Sequence, residues 1–354
     1  MTHPVLFRQQ FRQNSQNISN SLRAEKLRVL VFYFLISRFL CTFAPMMKQV
    51  RPKKNLGQHF LTDLTIARRI ADTVDACPDL PVLEVGPGMG VMTQFLVQKP
   101  RPLKVVEIDR ESVEYLKNTI FKNEELRVEN VEWRVESGKC RVESVEFAAA
   151  PQELPSAVAN STLSTLHSQI IEGDFLRMDL RTLFDGGQFV LTGNYPYDIS
   201  SQIFFKMLDN RDLIPCCTGM IQREVALRMA SKPGTKQYGI LSVLIQAWYN
   251  VEYLFTVEPS VFNPPPKVQS AVIRMTRNEV QHLGCDEQLF KRIVKTTFNQ
   301  RRKMLRVSLR QLVPADSQSS ILNSPFATLR PEQLSIQQFV ELTNLVEPEL
   351  NRNM

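Results

Sequence analysis

Pro81-Val82-Leu83-Glu84-Val85-Gly86-Pro87-Gly88-Met89-Gly90 is a short apolar run closed by glycines at alternate positions, and a helix-compatible segment from Val91 to Gln98 follows. Strand, glycine turn, helix is the opening of a nucleotide-binding α/β unit. Glycines let the backbone take φ > 0 and approach a ligand closely. The spacing sorts the ligands. A dinucleotide fingerprint needs G-x-G-x-x-G, with its third glycine at position 91, which is Val91 here. The third glycine is Gly90 instead, giving G-x-G-x-G, the form seen in S-adenosylmethionine (SAM) enzymes. A plain tight turn is the alternative for the glycines taken alone.

Three further strand ends carry polar groups. Leu103 to Asp109 reads as a second strand, with Glu107 about 20 residues past the glycines, where such folds place an acid for ribose hydroxyls. Asp109 is its rival on the same segment. Gln169 to Phe175 reads as a third strand and delivers Asp174, which suits an adenine amino group; a turn or helix-capping role is the alternative. A fourth strand, Gln188 to Thr192, leads into Thr192-Gly193-Asn194-Tyr195-Pro196-Tyr197. Asn-x-Pro-Tyr sets an amide oxygen, a proline-stiffened carbonyl and an aromatic ring close together. The ring can stack on a flat base while the two oxygens accept protons from its exocyclic amine. Four such ends in sequence fit a ligand bound at the carboxyl edge of a parallel sheet.

From about Lys53 to Met275 the chain resembles the ribosomal RNA adenine dimethyltransferases, and the small-subunit branch more than the macrolide-resistance branch that acts on large-subunit rRNA. The resemblance is carried by Asn55-Leu56-Gly57-Gln58-His59-Phe60-Leu61, Glu84-Val85-Gly86-Pro87-Gly88, Asn194-Tyr195-Pro196-Tyr197-Asp198-Ile199-Ser200, Pro264-Pro265-Pro266-Lys267-Val268-Gln269-Ser270-Ala271-Val272 and Phe298-Asn299-Gln300-Arg301-Arg302-Lys303. The triple proline favours the small-subunit branch. His59, Tyr195 and Asp198 depart from the residues common at those positions.

The resemblance implies a Rossmann-like SAM methyltransferase sheet followed by a small all-α C-terminal domain. It implies SAM contacts at Gln58, His59, Leu61, Gly86, Gly88, Glu107, Asp174 and Asn194, that of His59 largely through its backbone. The target adenine is expected between Tyr197 and Phe262, its amine held by Asn194 and the Pro196 carbonyl. Phe262 as a core residue under a loop is the alternative. RNA contacts are expected at Lys53, Lys54, Arg301, Arg302 and Lys303. The implied activity is dimethylation of two adjacent adenines in a hairpin near the 3′ end of small-subunit rRNA, with a role in subunit biogenesis. The implied partners are that rRNA and the small-subunit precursor, with no membrane, in a cytoplasmic monomer. A non-enzymatic assembly factor that kept the fold is a third class of reading.

Composition is consistent with two domains and a real core: 354 residues, 43% hydrophobic. The net charge is +7, but residues 1–46, with six Lys/Arg against one Glu, hold +5 of it. The sharper basic feature is Lys291 to Arg310, with eight Lys/Arg and no acid at helical spacing, which suits phosphate contacts. Six cysteines without C-x-x-C or partner histidines predict a reduced chain with no metal site.

The expected organisation is an N-terminal extension (1–46), a methyltransferase domain (47–277) and a helical RNA-binding domain (278–354). The extension holds an apolar run from Val29 to Ala44, too short for a spanning helix and interrupted by Arg38. A signal sequence, a short anchor, or an upstream start codon with Met46 or Met47 as the true start are the open readings. Residues 127–166 open with three copies of a seven-residue Arg-Val-Glu repeat, beginning at Arg127, Arg134 and Arg141, and read as a tolerated insertion.

Overall fold

The glycine turn lies at the centre of a seven-stranded sheet. The computed structural model describes residues 59–122, 134–136, 139–141, 168–313 and 323–351. Lys53, Lys54, Gln58, the N-terminal extension and most of the 127–166 insertion lie outside the described residues. In chain order the strands are β1 (Phe60–Leu61), β2 (Val82–Val85), β3 (Leu103–Glu107), β4 (Arg134–Glu136), β5 (Lys139–Arg141), β6 (Ser168–Glu172), β7 (Val190–Thr192), β8 (Cys216–Gln222), β9 (Tyr249–Val257), β10 (Phe262–Asn263) and β11 (Ser270–Arg277). The helices are α1 (Leu64–Ala71), α2 (Thr93–Leu96), α3 (Arg110–Asn118), α4 (Ser200–Asp209), α5 (Arg223–Met229), α6 (Ile240–Gln246), α7 (Glu287–Asn299), α8 (Leu305–Ser308) and α9 (Ile336–Asn351).

The sheet order is β6-β3-β2-β7-β8-β11-β9. The first five strands are parallel, and β11 pairs antiparallel with both β8 and β9. From β2 the chain steps outward through β3 to β6, then returns to the other side of β2 with β7. Strand order therefore reverses between β2 and β7, and ligands bind at the carboxyl ends of such a switch point. Those ends carry Gly86 and Asn194. All four residues of β2 are buried, as expected of a parallel strand covered on both faces.

Two apolar layers cover the sheet. One packs Ile70 of α1, Leu96 of α2 and Leu116 of α3 against Val82, Val105 and Val190. The other packs Phe204 of α4, Met229 of α5 and Val243 of α6 against Leu83, Leu191 and Ile221. Phe290 of α7 and Phe339 of α9 join this second layer, with Phe290 edge-on to Trp248 at 6.0 Å between ring centroids. The C-terminal helices thus share a core with the sheet, and Val50–Met354 form one compact unit. Side-chain oxygens cap helices α1, α7 and α9: Asp63 Oδ1 accepts from the Thr65 and Ile66 amides, Asp286 Oδ1 from those of Gln288 and Leu289, and Ser335 Oγ from that of Gln338.

Two sequence expectations change. The cysteines are not all reduced, because Cys77 and Cys216 are joined by a disulfide. Alternation along β8 is the reason: Cys216 faces the α1 side of the sheet and meets Cys77, whereas Cys217 faces the opposite layer and stays free. The basic run is not one helix either. It breaks after Asn299, and α8 begins only at Leu305. Among the described residues no group of His, Cys, Asp and Glu is arranged to hold a metal, and no helix is long and apolar enough to cross a membrane.

Candidate active site

A cavity opens at the switch point. Its wall is formed by His59 and Leu61, the turn after β2, Glu107, Asp174 and the stretch from Asn194 to Tyr197. The three turn glycines all have positive φ, but they serve different ends. Gly88 donates its N–H to Glu107 Oε2 at 2.9 Å, tying the turn to the end of β3. A Cβ at Gly90 would stand 2.1 Å from Ile120 Cδ1 and 2.7 Å from Leu116 Cδ2, so this glycine lets the turn pack on the C-terminal end of α3.

Glu107 and Asp109, rivals in the sequence, are separated by the fold. Glu107 lines the cavity and accepts from the Gly88 and Asp109 amides. Burial raises its pKa, and those two amides work against the rise. A carboxylate has about four acceptor sites, so capacity for a further donor remains. Asp109 precedes α3, accepts from the Ser112 hydroxyl at 2.9 Å, and does not line the cavity.

Asp174 begins a tight turn. Its Oδ1 accepts from the Leu176 amide at 2.9 Å, and its main-chain carbonyl accepts from the amides of Arg177 and Met178. On the opposite wall, Asn194 bridges in parallel to Met220 of β8, so its position is set by the sheet. Tyr195 is buried and donates its hydroxyl to the Thr218 carbonyl at 2.9 Å. The Pro196 carbonyl accepts from Ile199 N–H at 3.3 Å, leaving one lone pair for a substrate. Tyr197 hydrogen-bonds Ser270 Oγ through its hydroxyl and stacks on His59 with ring centroids 5.6 Å apart. His59 Nδ1 lies 2.8 Å from the Pro264 carbonyl; a carbonyl only accepts, so Nδ1 carries the proton. The His59 side chain thus joins the site's mouth to the proline loop.

Phe262 is placed differently from the expectation. It pairs with Leu61 in the β1–β10 ladder, is 4% exposed, and does not line the cavity. The main-chain ladder holds its ring in the apolar layer beneath the rim, and His59 lies against Tyr197 instead.

The chain matches the family model for ribosomal RNA adenine dimethylases over residues 49–133 and 152–346. The chain belongs to this family. Among curated relatives, a "Ribosomal RNA small subunit methyltransferase A" from Phocaeicola vulgatus is 59% identical over 301 residues, covering 85% of this chain and 91% of the relative. One of the same name from Bacteroides fragilis is 59% identical over 307 residues, covering 86% and 95%. Among solved structures, a dimethyladenosine transferase from Plasmodium falciparum has the same fold, with TM-score 0.57 at 20% identity, covering 83% of this chain and 98% of that one.

Sequence reasoning passed over several groups. Glu84 lines the cavity floor, 1% exposed, with Thr93 Oγ1 donating to it at 2.7 Å. Burial first, and then the nearby Glu107, push its carboxyl up to about 8, against the Thr93 hydrogen bond. It belongs to the Glu84–Gly88 motif, but only the pairing of strands shows it walled in on both sides, by Val105 and Thr192. Ser270 belongs to the proline-rich motif, and its partnership with Tyr197 spans 73 residues.

Of the basic residues, Arg301 is tied internally, to the Thr235 carbonyl at 3.2 Å and to Glu332. Lys291 pairs with Asp209, and Lys295 lies over the Phe205 ring. Arg302, Lys303, Arg306 and Arg310 are exposed and form no ion pair among the described residues.

Proposed function

We propose that this chain transfers methyl groups from SAM to the N6 amine of two adjacent adenines in a hairpin near the 3′ end of small-subunit rRNA, with a role in small-subunit biogenesis in the cytoplasm. The observation that carries the reading is the convergence of Asn194, Pro196 and Tyr197 on a cavity already lined by a G-x-G-x-G turn, Glu107 and Asp174. The donor set suits the cofactor. A buried carboxylate beside the turn fits ribose hydroxyls, a carboxylate across the cavity fits an adenine amine, and bare glycine backbone lets the ligand approach. Gln58, His59, Leu61, Gly86, Gly88, Glu107, Asp174 and Asn194 would hold it.

Bound SAM supplies an electrophilic methyl group. The residues act on the acceptor. The adenine amine is a weak nucleophile because its lone pair is delocalised into the ring. The Asn194 side-chain oxygen and the free lone pair of the Pro196 carbonyl would accept its two N–H protons and favour a pyramidal nitrogen. Tyr197 supplies the stacking face, worth roughly 1–3 kcal/mol per base, against the few kcal/mol that unstacking costs. Phe262 takes a supporting place under the rim, through Leu61. Positioning and fixed dipoles lower the barrier, with no strong base required.

We assign RNA contact to the C-terminal region 278–354, through Arg302 and Lys303 with Arg301 behind them, and to Lys53 and Lys54. A cleft lined by Arg223, Arg228, Lys236 and Arg301 against Glu224 and Glu332, and reaching Gln269 next to Ser270, has more cations than acids, which supports a phosphate path towards the site. The partner would be the small-subunit precursor, bound by a monomer. Residues 47–277 would form the methyltransferase part.

The test incubates the protein with labelled SAM and undermethylated small or large subunits, then digests the RNA to nucleosides. Dimethyladenosine from small subunits alone is expected, and Asn194→Ala should lower transfer at least about 100-fold while the melting temperature holds. Label in large subunits would move the chain to the other branch. RNA binding without label, or an active Asn194→Ala variant, would overturn the reading.

A further inference from the structure

We propose that Lys206 is a positioning residue for the cofactor, a strut that holds the Asp174 turn in shape from the helix following the Asn194–Tyr197 stretch. This rests on the reading of Asp174 as the acceptor for the cofactor's adenine amine. The turn from Asp174 to Met178 satisfies its own amides: Leu176 N–H donates to Asp174 Oδ1, and the Arg177 and Met178 amides donate to the Asp174 carbonyl. Its outward carbonyls need a partner from elsewhere. Lys206 Nζ supplies one to both, donating to Leu176 O at 3.0 Å and to Met178 O. Nζ also lies 5.4 Å from the centroid of the Phe175 ring. Phe175 and Leu176 line the cavity next to Asp174, so a single ammonium braces the part of the turn that directly follows Asp174.

The ammonium is held in place electrostatically. Burial lowers its pKa, and the carboxylates of Asp174 and Asp179 oppose that shift. The competing cation, Arg177, approaches Asp174 Oδ2 at 3.4 Å but is 83% exposed, so solvent screens it. Lys206 sits on α4, which starts at Ser200, three residues after Tyr197. The strut therefore ties the wall that would hold the cofactor's base to the element that continues from the amine-gripping stretch.

Lys206→Met keeps the packed stem and removes the donors. On the apo protein, amides 176–178 should exchange hydrogen faster in this variant, and the Kd for SAM by titration calorimetry should rise about tenfold. Lys206→Arg should restore both. Asp174→Ala should weaken SAM binding, and the double variant should bind no more weakly than Asp174→Ala alone, because both act on one turn. Unchanged exchange in Lys206→Met, or losses that multiply in the double variant, would overturn the strut. Should Asp174→Ala bind SAM like the wild type, the reading of Asp174 fails, and exchange then decides the strut by itself. Lys206→Leu, which likewise has no donor, replaces Lys206→Met if the latter does not fold.

Discussion

At the residue scale the site is a set of acids with different neighbours. Glu107 meets two amides and Glu84 meets a single hydroxyl. Glu84 is protonated well above its ordinary range, with a pKa of about 8 against 4.5. Between those values the folded protein keeps a proton that the unfolded chain releases. Unfolding free energy therefore falls as pH rises through that window, and is flat below it. Glu84→Gln retains an acceptor for Thr93 and removes the titration. We expect the variant to gain stability over the wild type from pH 5 to pH 8, on the order of a few kcal/mol. Urea unfolding of both proteins at the two pH values measures this, and an equal difference at both would contradict it. Glu107, Asp174 and Asn194 were legible because each ends a strand. Glu84 and Lys206 were not, because a mid-strand acid and a helical lysine carry no local mark of burial or of a distant partner.

At the element scale, the four strands read from the sequence are four of the five parallel strands, those where apolar runs end in chemistry. The other strands gave weaker signals. β8 is interrupted by Gly219 and carries two cysteines, and β9 alternates only loosely between buried and exposed positions. Gly219 is the residue on which the site's backbone depends. Its φ is +135°, and a Cβ there would stand 2.3 Å from the Gly193 carbonyl oxygen and 2.8 Å from Tyr195 Cε2. That same carbonyl accepts from Met220 N–H at 2.9 Å, the bond that registers the Asn194 stretch on β8. A methyl group cannot be relieved there by a rotamer change, since its nearest neighbour is backbone. Gly219→Ala should cost about 3 kcal/mol or more and abolish SAM binding. Denaturation midpoints and calorimetry check both, and a stable variant that binds SAM would show that β8 shifts freely. The basic run marks the opposite limit of sequence reading. Eight cations without an acid are easy to see, but which of them turn inward, as Lys291 does towards Asp209, depends on packing across the chain.

At the scale of the whole molecule, the long segment between α3 and β6 is explained by where it enters the sheet. β6 is the edge strand, paired only with β3 within the sheet, so chain arriving there displaces no neighbouring strand. The family model passes over residues 134–151, within the segment read as an insertion from its repeats. Among its described residues, β4 and β5 pair with each other and with no strand of the main sheet. None of its described residues lines the cavity. Removing 127–166 joins Leu126 to His167 and leaves five residues between Lys122 and Ser168, within the usual range for a helix-to-strand connection. Closing five residues in place of 45 is entropically easier by roughly 2 kcal/mol for a flexible chain. We therefore expect the deleted protein to melt no lower than the full chain and to methylate small subunits at a rate within about twofold. A shortened chain that failed to fold would mean that the segment packs on the sheet. One that folded but lost transfer to subunits, while still binding SAM, would mean that these residues meet the ribosomal particle.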